Sequence, residues 1–395
     1  MSHSRRKTFY FLLEGLSAFA CAYYFNYLFF LLRDRFGFGD RDNLLVGALH
    51  GLVYVSTAWY AGRFAQRRGY FTALRLGFGG MAFALVLGGF LPSALGQLAV
   101  FACWTLAMCF TWAPLQALVS EGESPERLPW MIGFYNVVWA GTSALAYFCG
   151  GAVFERLGVA SLYWLPALIH LAQVGVVQWL AGEAGSPGLA AAPTPLAALH
   201  TPEPVAFAQP VRPQTFLRMA WLANPFAYIA INTVLATIPG LARRFDLTTT
   251  ETGLFCSIWL FARLGTFVLL WQWTGWHYRF RWLLAAFVAL IASFAAMLLG
   301  GTLWLVGLAQ VAFGLAVGLI YYSSLFYSMD VGETKGEHGG LHEAAIGAGI
   351  CVGPAIGAGT LHLLPQYPSS GAIAVSVALV AGLVWLLALR FRRAR

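Results

Sequence analysis

Long apolar runs constrain this chain more than any other feature of its sequence. A helix needs about 20 apolar residues to cross the hydrocarbon core of a bilayer. Lipid offers the backbone no hydrogen-bond partner, so runs of this length are helices rather than irregular segments. Twelve such runs are present, at residues 9–32, 44–62, 72–91, 95–118, 130–153, 160–181, 216–239, 249–273, 281–300, 302–329, 341–363 and 371–391. They predict an all-α membrane protein with twelve transmembrane helices.

The scarcity of charge supports this interpretation. Only 10% of the 395 residues are charged and 59% are hydrophobic, whereas a soluble domain carries about 25% charged residues. The net charge of +8 is compatible with nucleic-acid binding, but the basic residues gather at helix ends and at both termini. That placement is typical of membrane topology. We therefore expect the lipid bilayer, and no nucleic acid, as a partner.

The segment 182–214 divides the twelve runs into two sets of six. It is rich in Pro, Ala and Gly, a composition that forms a flexible or extended linker rather than a core. The predicted organisation is an N-terminal six-helix bundle at 1–181, a cytoplasmic linker at 182–214 and a C-terminal six-helix bundle at 215–395.

The two halves show a weak internal repeat. Sliding the chain by 206 residues places identical residues on corresponding helices of the two halves. The pairs are Asn26 with Asn232, Gly141 with Gly347, and Gly151 with Gly357. The sequence therefore predicts two pseudo-repeated six-helix bundles.

The distribution of Lys and Arg predicts the orientation in the membrane. Seventeen of the 24 lie on the side that carries both termini, six lie on the other side, and Arg263 lies within a span. Cytoplasmic segments are enriched in these residues. We expect a multi-pass protein of a plasma or inner membrane with both termini in the cytoplasm.

Two six-helix halves, a long middle loop and a basic turn after the second helix resemble the major facilitator superfamily. The signature of that family between helices two and three is G-x-x-x-D-[RK]-x-G-[RK]-[RK]. The corresponding stretch here is Gly62-Arg63-Phe64-Ala65-Gln66-Arg67-Arg68-Gly69-Tyr70-Phe71. Gln66 stands where the family has Asp. Its amide can form hydrogen bonds but carries no charge. The resemblance implies alternating access, with Gln66, Arg67 and Gly69 as gating residues.

Arg263 is the strongest candidate for substrate binding. It lies near the middle of the eighth span, and a charge at that depth faces a protein interior or a wet cavity. A guanidinium binds carboxylates through two parallel hydrogen bonds, so Arg263 favours an anionic substrate. The alternative is a structural cation bound to helix carbonyls or to a nearby acid.

Glu14 is the candidate for proton coupling. It lies one to two turns into the first span, and desolvation there would favour the protonated carboxyl. Two alternatives are a pair with Arg263 and an interfacial carboxylate that reaches water. His50 and His170 also titrate near neutral pH in principle and are secondary candidates, although a buried His is often only a hydrogen-bonded core residue.

Neutral polar residues at cavity depth complete the predicted substrate site. They are Tyr23, Asn26, Gln116, Asn136, Asn232, Gln310, Tyr321 and Tyr322. Helix packing is the alternative role for each of them. We expect the 15 tryptophans mainly at the membrane interface, where indole rings are favoured.

The polar stretch 330–343 is predicted to be a cytoplasmic loop, with Glu343 at the start of the next helix. It contains two neighbouring pairs of an acid and a histidine, Glu337 with His338 and His342 with Glu343. These four residues are candidates for an inner gate or a pH-sensitive latch. A solvated turn is the simpler alternative.

Together these features predict a secondary transporter for a small organic solute, driven by proton symport and working as a monomer. A facilitative or exporting carrier of neutral sugars, nucleosides or drugs is an alternative, as is a membrane receptor or scaffold without flux. The sequence has no nucleophile elbow, phosphate loop, zinc spacing or catalytic carboxylate pair. We expect no enzyme activity, no cofactor and no metal.

Overall fold

The computed structural model describes residues 2–124, 126–183, 212–331 and 335–391, with backbone only at Met329 and 335–342. The described part is helical, without strands. Its helices are α1 (His3–Phe36), α2 (Asp40–Arg68), α3 (Tyr70–Phe90), α4 (Ala94–Met108), α5 (Trp112–Ser120), α6 (Leu128–Leu157), α7 (Ala160–Glu183), α8 (Pro213–Arg244), α9 (Thr249–Cys256), α10 (Ile258–Gln272), α11 (Phe280–Leu299), α12 (Leu303–Val331), α13 (Lys335–Leu363) and α14 (Ser370–Phe391).

Twelve segments of the described part are long and apolar enough to cross a membrane, which confirms the predicted fold class. Helices α4 and α5 together form the fourth span, and α9 and α10 form the eighth. Pro114 in the first turn of α5 has no N–H to donate to the turn before it, so the fourth span is interrupted at Cys109–Thr111. Most of the predicted linker, residues 184–211, lies outside the described residues.

One predicted helix boundary is wrong, and it changes the position of Glu343 within its helix. The helix expected to begin at residue 341 begins at Lys335. Glu343 is therefore about two turns inside α13 rather than at its start. Its side chain is partly buried.

The outer surface of the helix bundle is apolar, as a lipid-facing surface requires. Large apolar side chains are exposed on many helices, with Phe83, Leu95, Trp304 and Val377 all more than 60% accessible. A soluble monomer rarely exposes so extensive an apolar surface. The pattern supports an integral membrane protein.

Because the number of spans is even, α1 begins and α14 ends on the same side of the molecule, called here the terminal face. The other side is called here the opposite face. It carries the turns between α1 and α2, between α6 and α7, and between α8 and α9. The two halves meet along two seams. Helix α2 packs against α13, and α6 packs against α9 and α10.

Glycines line both seams, and those of the predicted repeat occupy matching places. Gly151 of α6 lies against the backbone of Thr249 in α9, and Gly357 of α13 lies against Leu44 in α2. The other repeat pair also lies at matching places, since Gly141 faces the Leu264 side chain of α10 and Gly347 faces the backbone of α2. At Gly151 and Gly347 the absence of a side chain permits the backbones of the two halves to approach each other closely.

The opposite face is closed by a helix cap that joins the halves. The Glu155 carboxylate at the end of α6 accepts hydrogen bonds from the backbone N–H of Thr250, 3.0 Å away, and from the Thr250 hydroxyl, both at the start of α9. Within its own helix, α9 carries a separate capping box. There Thr248 Oγ1 accepts from the N–H of Glu251, and a Glu251 carboxylate oxygen accepts from the N–H of Thr248.

A buried ionic cluster holds α1 to the end of α5 on the terminal face. Lys7 Nζ donates to the carbonyls of Leu118 and Val119 at 2.9 and 2.7 Å, and the Glu123 carboxylate lies 3.5 Å from Lys7 Nζ. Burial alone raises the pKa of Glu123. The hydrogen bond from His3 and the charge of Lys7 outweigh that effect and hold the pKa below the ordinary 4.5.

Candidate functional site

A cavity of about 210 Å³ lies between the two halves. The middle parts of α1, α2, α6, α8, α12 and α13 line it, together with α4, α5 and the first turns of α10. Both halves therefore contribute to a single chamber, called here the central cavity. Its walls are mostly apolar and aromatic, with a few polar groups, as in other small-molecule sites.

Arg263 faces the central cavity, as predicted. Its guanidinium carbon lies 4.5 Å from the ring centre of Trp139 in α6 and 5.1 Å from that of Trp259, one turn earlier in the same span. The side chain is only 7% exposed, and its Nε has no hydrogen-bond partner within the described residues. No described carboxylate lies within ion-pairing distance of Arg263. The indole faces stabilise the cation but provide no hydrogen-bond acceptors.

Glu343 also lines the central cavity. One of its carboxylate oxygens accepts a hydrogen bond of 2.5 Å from the Tyr54 hydroxyl. Tyr54 belongs to α2 and Glu343 to α13, so this bond joins the two halves at the chamber wall. Sequence reasoning placed Glu343 in a cytoplasmic gate and did not identify its partner.

Five other predicted residues contribute to the cavity wall: Asn26, Gln116, Asn232, Tyr321 and His50. The repeat mates Asn26 and Asn232 are equivalent, since each donates through Nδ2 to the carbonyl four residues earlier, at 2.7 and 3.1 Å. His50 bonds through Nδ1 to the Thr105 hydroxyl at 2.9 Å.

Glu14 does not reach the cavity directly. It is fully buried within the N-terminal half, where one carboxylate oxygen accepts a 2.6 Å hydrogen bond from the Tyr135 hydroxyl. The ring of Tyr135 lines the cavity and separates Glu14 from it. The alternative pair with Arg263 is not formed, because no ion pair joins the two in the described structure.

The remaining predicted residues of the substrate and proton sites lie away from the central cavity. Tyr23 bonds to the Ser161 hydroxyl, and His170 to Gln173. Gln310 lines a much smaller void within the C-terminal half. Asn136 is buried between helices, and Tyr322 packs against other aromatic rings.

The residues of the basic turn lie on the terminal face. Gln66, Arg67 and Gly69 are exposed. Gly69 adopts a φ of 90° at the junction of α2 and α3, a conformation that disfavours other residues. The side chains of the predicted gate residues Glu337, His338 and His342 lie outside the described residues.

The tryptophans of the chamber were not predicted from the sequence. Trp104, Trp112, Trp139 and Trp259 line the cavity, although tryptophans were expected mainly at the interface. One signal was available. Trp259 precedes Arg263 by four residues, and this spacing places both on one helix face.

The helix order and the chamber between the halves are similar to those of solved transporter structures, in agreement with the fold that the resemblance predicted. The human organic anion transporter MFSD10 (TETRAN) superposes with a TM-score of 0.69 at 15% sequence identity, covering 98% of this chain and 100% of that one. The nucleoside transporter NupG gives a TM-score of 0.69 at 13% identity, covering 98% and 99%. A mutant form of NupG gives 0.71 at 13% identity, covering 97% and 98%.

At the level of sequence, no family model and no curated protein matches the chain.

Proposed function

We propose that this protein is a secondary transporter that carries small organic anions across a membrane by alternating access, in symport with protons. The observation that carries the proposal is the position of Arg263. Its guanidinium faces the central cavity between two indole rings and has no carboxylate partner among the described residues.

Electrostatics favours an anion at this site. A charge held in a cavity of low polarity is costly unless an opposite charge or hydrogen-bond acceptors accompany it. A carboxylate or sulfonate supplies both, and a guanidinium binds it through two parallel N–H···O bonds. The aromatic walls then contact the organic part of the substrate. The site is therefore suited to an anion with a planar apolar body.

The architecture suits a carrier that rocks about its central site. Arg263 and Trp139 come from different halves, so the substrate would bind where the halves meet. One of the superposed proteins is an organic anion transporter. The sequence has no nucleotide-binding motif, so a gradient would supply the energy, and we propose a proton gradient.

Paired probes that differ only in charge test the proposal. Benzenesulfonate and benzenesulfonamide have the same ring, but only the first is an anion at every working pH. We expect benzenesulfonate to stabilise the purified protein in a thermal-shift assay and to enter proteoliposomes. Arg263→Gln should weaken binding roughly 100-fold, since a charged pair of hydrogen bonds contributes about 3 kcal/mol. Arg263→Lys should recover part of that loss.

Arg63 provides a matched control. Its guanidinium carbon lies 3.8 Å from the ring centre of Trp59, so it repeats the cation–indole contact on the surface and outside the cavity. Arg63→Gln should leave binding and flux unchanged. Equal responses to both probes would contradict the proposal and favour the neutral-solute carrier. Binding without flux would favour a receptor.

A further inference from the structure

We propose that Glu343 is the carboxylate whose protonation is coupled to the relative movement of the two halves. The inference rests on the proposed function and specifies the residue that carries its proton. It assigns this role to a residue of α13 on the cavity wall in place of the more deeply buried Glu14.

A proton shifts the equilibrium between two conformations only if it binds more tightly to one of them. Coupling therefore requires a carboxyl group whose surroundings differ between the two conformations. Tyr54 and Glu343 belong to different halves. The hydrogen bond from Tyr54 stabilises the charged carboxylate in the conformation described here. When the halves separate along the seam between α2 and α13, this bond breaks and the charged form loses its donor. Protonation therefore favours separation at this point.

Glu14 does not meet this requirement. Its hydrogen-bond donor, Tyr135, lies on α6 in the same half. A rocking movement of two rigid halves leaves that bond intact, so the proton on Glu14 would not distinguish the two conformations. Its complete burial behind Tyr135 also separates it from water in the cavity.

Glu14 and Glu343 both lie within electrostatic range of Tyr135 and Tyr321. Tyr54 donates to it directly, and Arg263 lies within electrostatic range of Tyr228 and Tyr321. The other titratable groups within electrostatic range of Glu343 come from four further segments: Cys109 between α4 and α5, Tyr135 on α6, Tyr228 on α8 and Tyr321 on α12. None of these four groups is an acid that ionises in the range of a carboxyl group.

Spin-label distances across the terminal face test the proposal without any ligand. Labels at Arg68 on α2 and Arg281 on α11, both exposed, would report the separation of the halves in liposomes. In the otherwise unaltered protein we expect the ratio of the two distance populations to change with pH. A total change of about tenfold in this ratio corresponds to a tenfold difference in proton affinity between the two conformations.

The variants separate the two carboxyl groups. Glu343→Gln should abolish the pH response, Tyr54→Phe should reduce it, and Glu14→Gln should leave it in place. A pH response that persists in Glu343→Gln would overturn the proposal, and so would a ratio that never changes with pH. Because Tyr54→Phe keeps the carboxylate, it remains informative if the Gln variant fails to fold. Benzenesulfonate flux, measured separately, shows whether the proposed transport function stands when this inference fails.

Discussion

The cap that Glu155 places on α9 predicts how firmly the opposite face is closed. The Glu155 carboxylate, at the end of α6 in one half, accepts hydrogen bonds from the backbone N–H and the hydroxyl of Thr250. Thr250 lies at the start of α9 in the other half. This contact exists only while the halves touch at that face. Replacing Glu155 by Gln should therefore shift the molecule toward conformations that are open there.

The size of the shift follows from the contacts that change. A hydrogen bond to a charged acceptor contributes about 1 kcal/mol more than a bond to a neutral one, and a negative charge at a helix N-terminus contributes about 0.3–1 kcal/mol. Glu155 is exposed, and solvent screening reduces both effects, so a combined loss of about 1 kcal/mol is reasonable. The ratio of open to closed molecules should then rise about fivefold.

Distances between spin labels at Val159 and Leu299, which lie on the opposite face in different halves, would measure that ratio. Glu251→Gln is the matched control, since Glu251 completes the capping box of the same helix without contacting the other half. An unchanged ratio in Glu155→Gln, or an equal change in the control, would refute the argument.

Two further predictions concern stability in detergent. A Cβ on Gly51 would meet the backbone of Cys351 across the seam, so Gly51→Ala should cost about 1–3 kcal/mol and lower the unfolding temperature. A Cβ on Gly62 of the same helix meets nothing, so Gly62→Ala should raise stability by about 0.5–1 kcal/mol because alanine favours a helix over glycine. A loss as large as that of Gly51→Ala would contradict the packing argument. The lowered pKa of Glu123 predicts stabilisation that is complete above the ordinary value of 4.5 and is lost as pH falls below it. Thermal unfolding of Glu123→Gln should therefore vary less between about pH 6 and pH 4 than that of the unsubstituted protein, and an identical pH dependence would argue against the cluster.

Much of the fold was predictable because bilayer thickness fixes the length of each apolar run. The rotation of each helix about its axis was not predictable. A helix that faces lipid on one side and its neighbours on the other is apolar all round, so its sequence does not mark the cavity side. That is why Asn26 and Gln116 were assigned correctly to the cavity wall, while Tyr23 and Gln310 were not.

The start of α13 shows a second limit. Residues 335–342 include three glycines and several polar residues, a composition that indicates a loop. The backbone is nevertheless helical there, so the intrinsic preference of each residue did not predict the start of α13. Glu343 therefore lies within α13 on the wall of the central cavity, where the acid expected from the sequence was Glu14.

The glycine tracks between the halves have a mechanical consequence. At Gly51, Gly151 and Gly347 the nearest atoms of the other half belong to the backbone. No side chain has to leave a socket at these three points before one half tilts against the other. Polar links between the halves, such as Glu155 with Thr250 and Tyr54 with Glu343, add resistance to tilting near the ends of these seams. Loss of one such link would therefore ease tilting at one end of the interface between the halves.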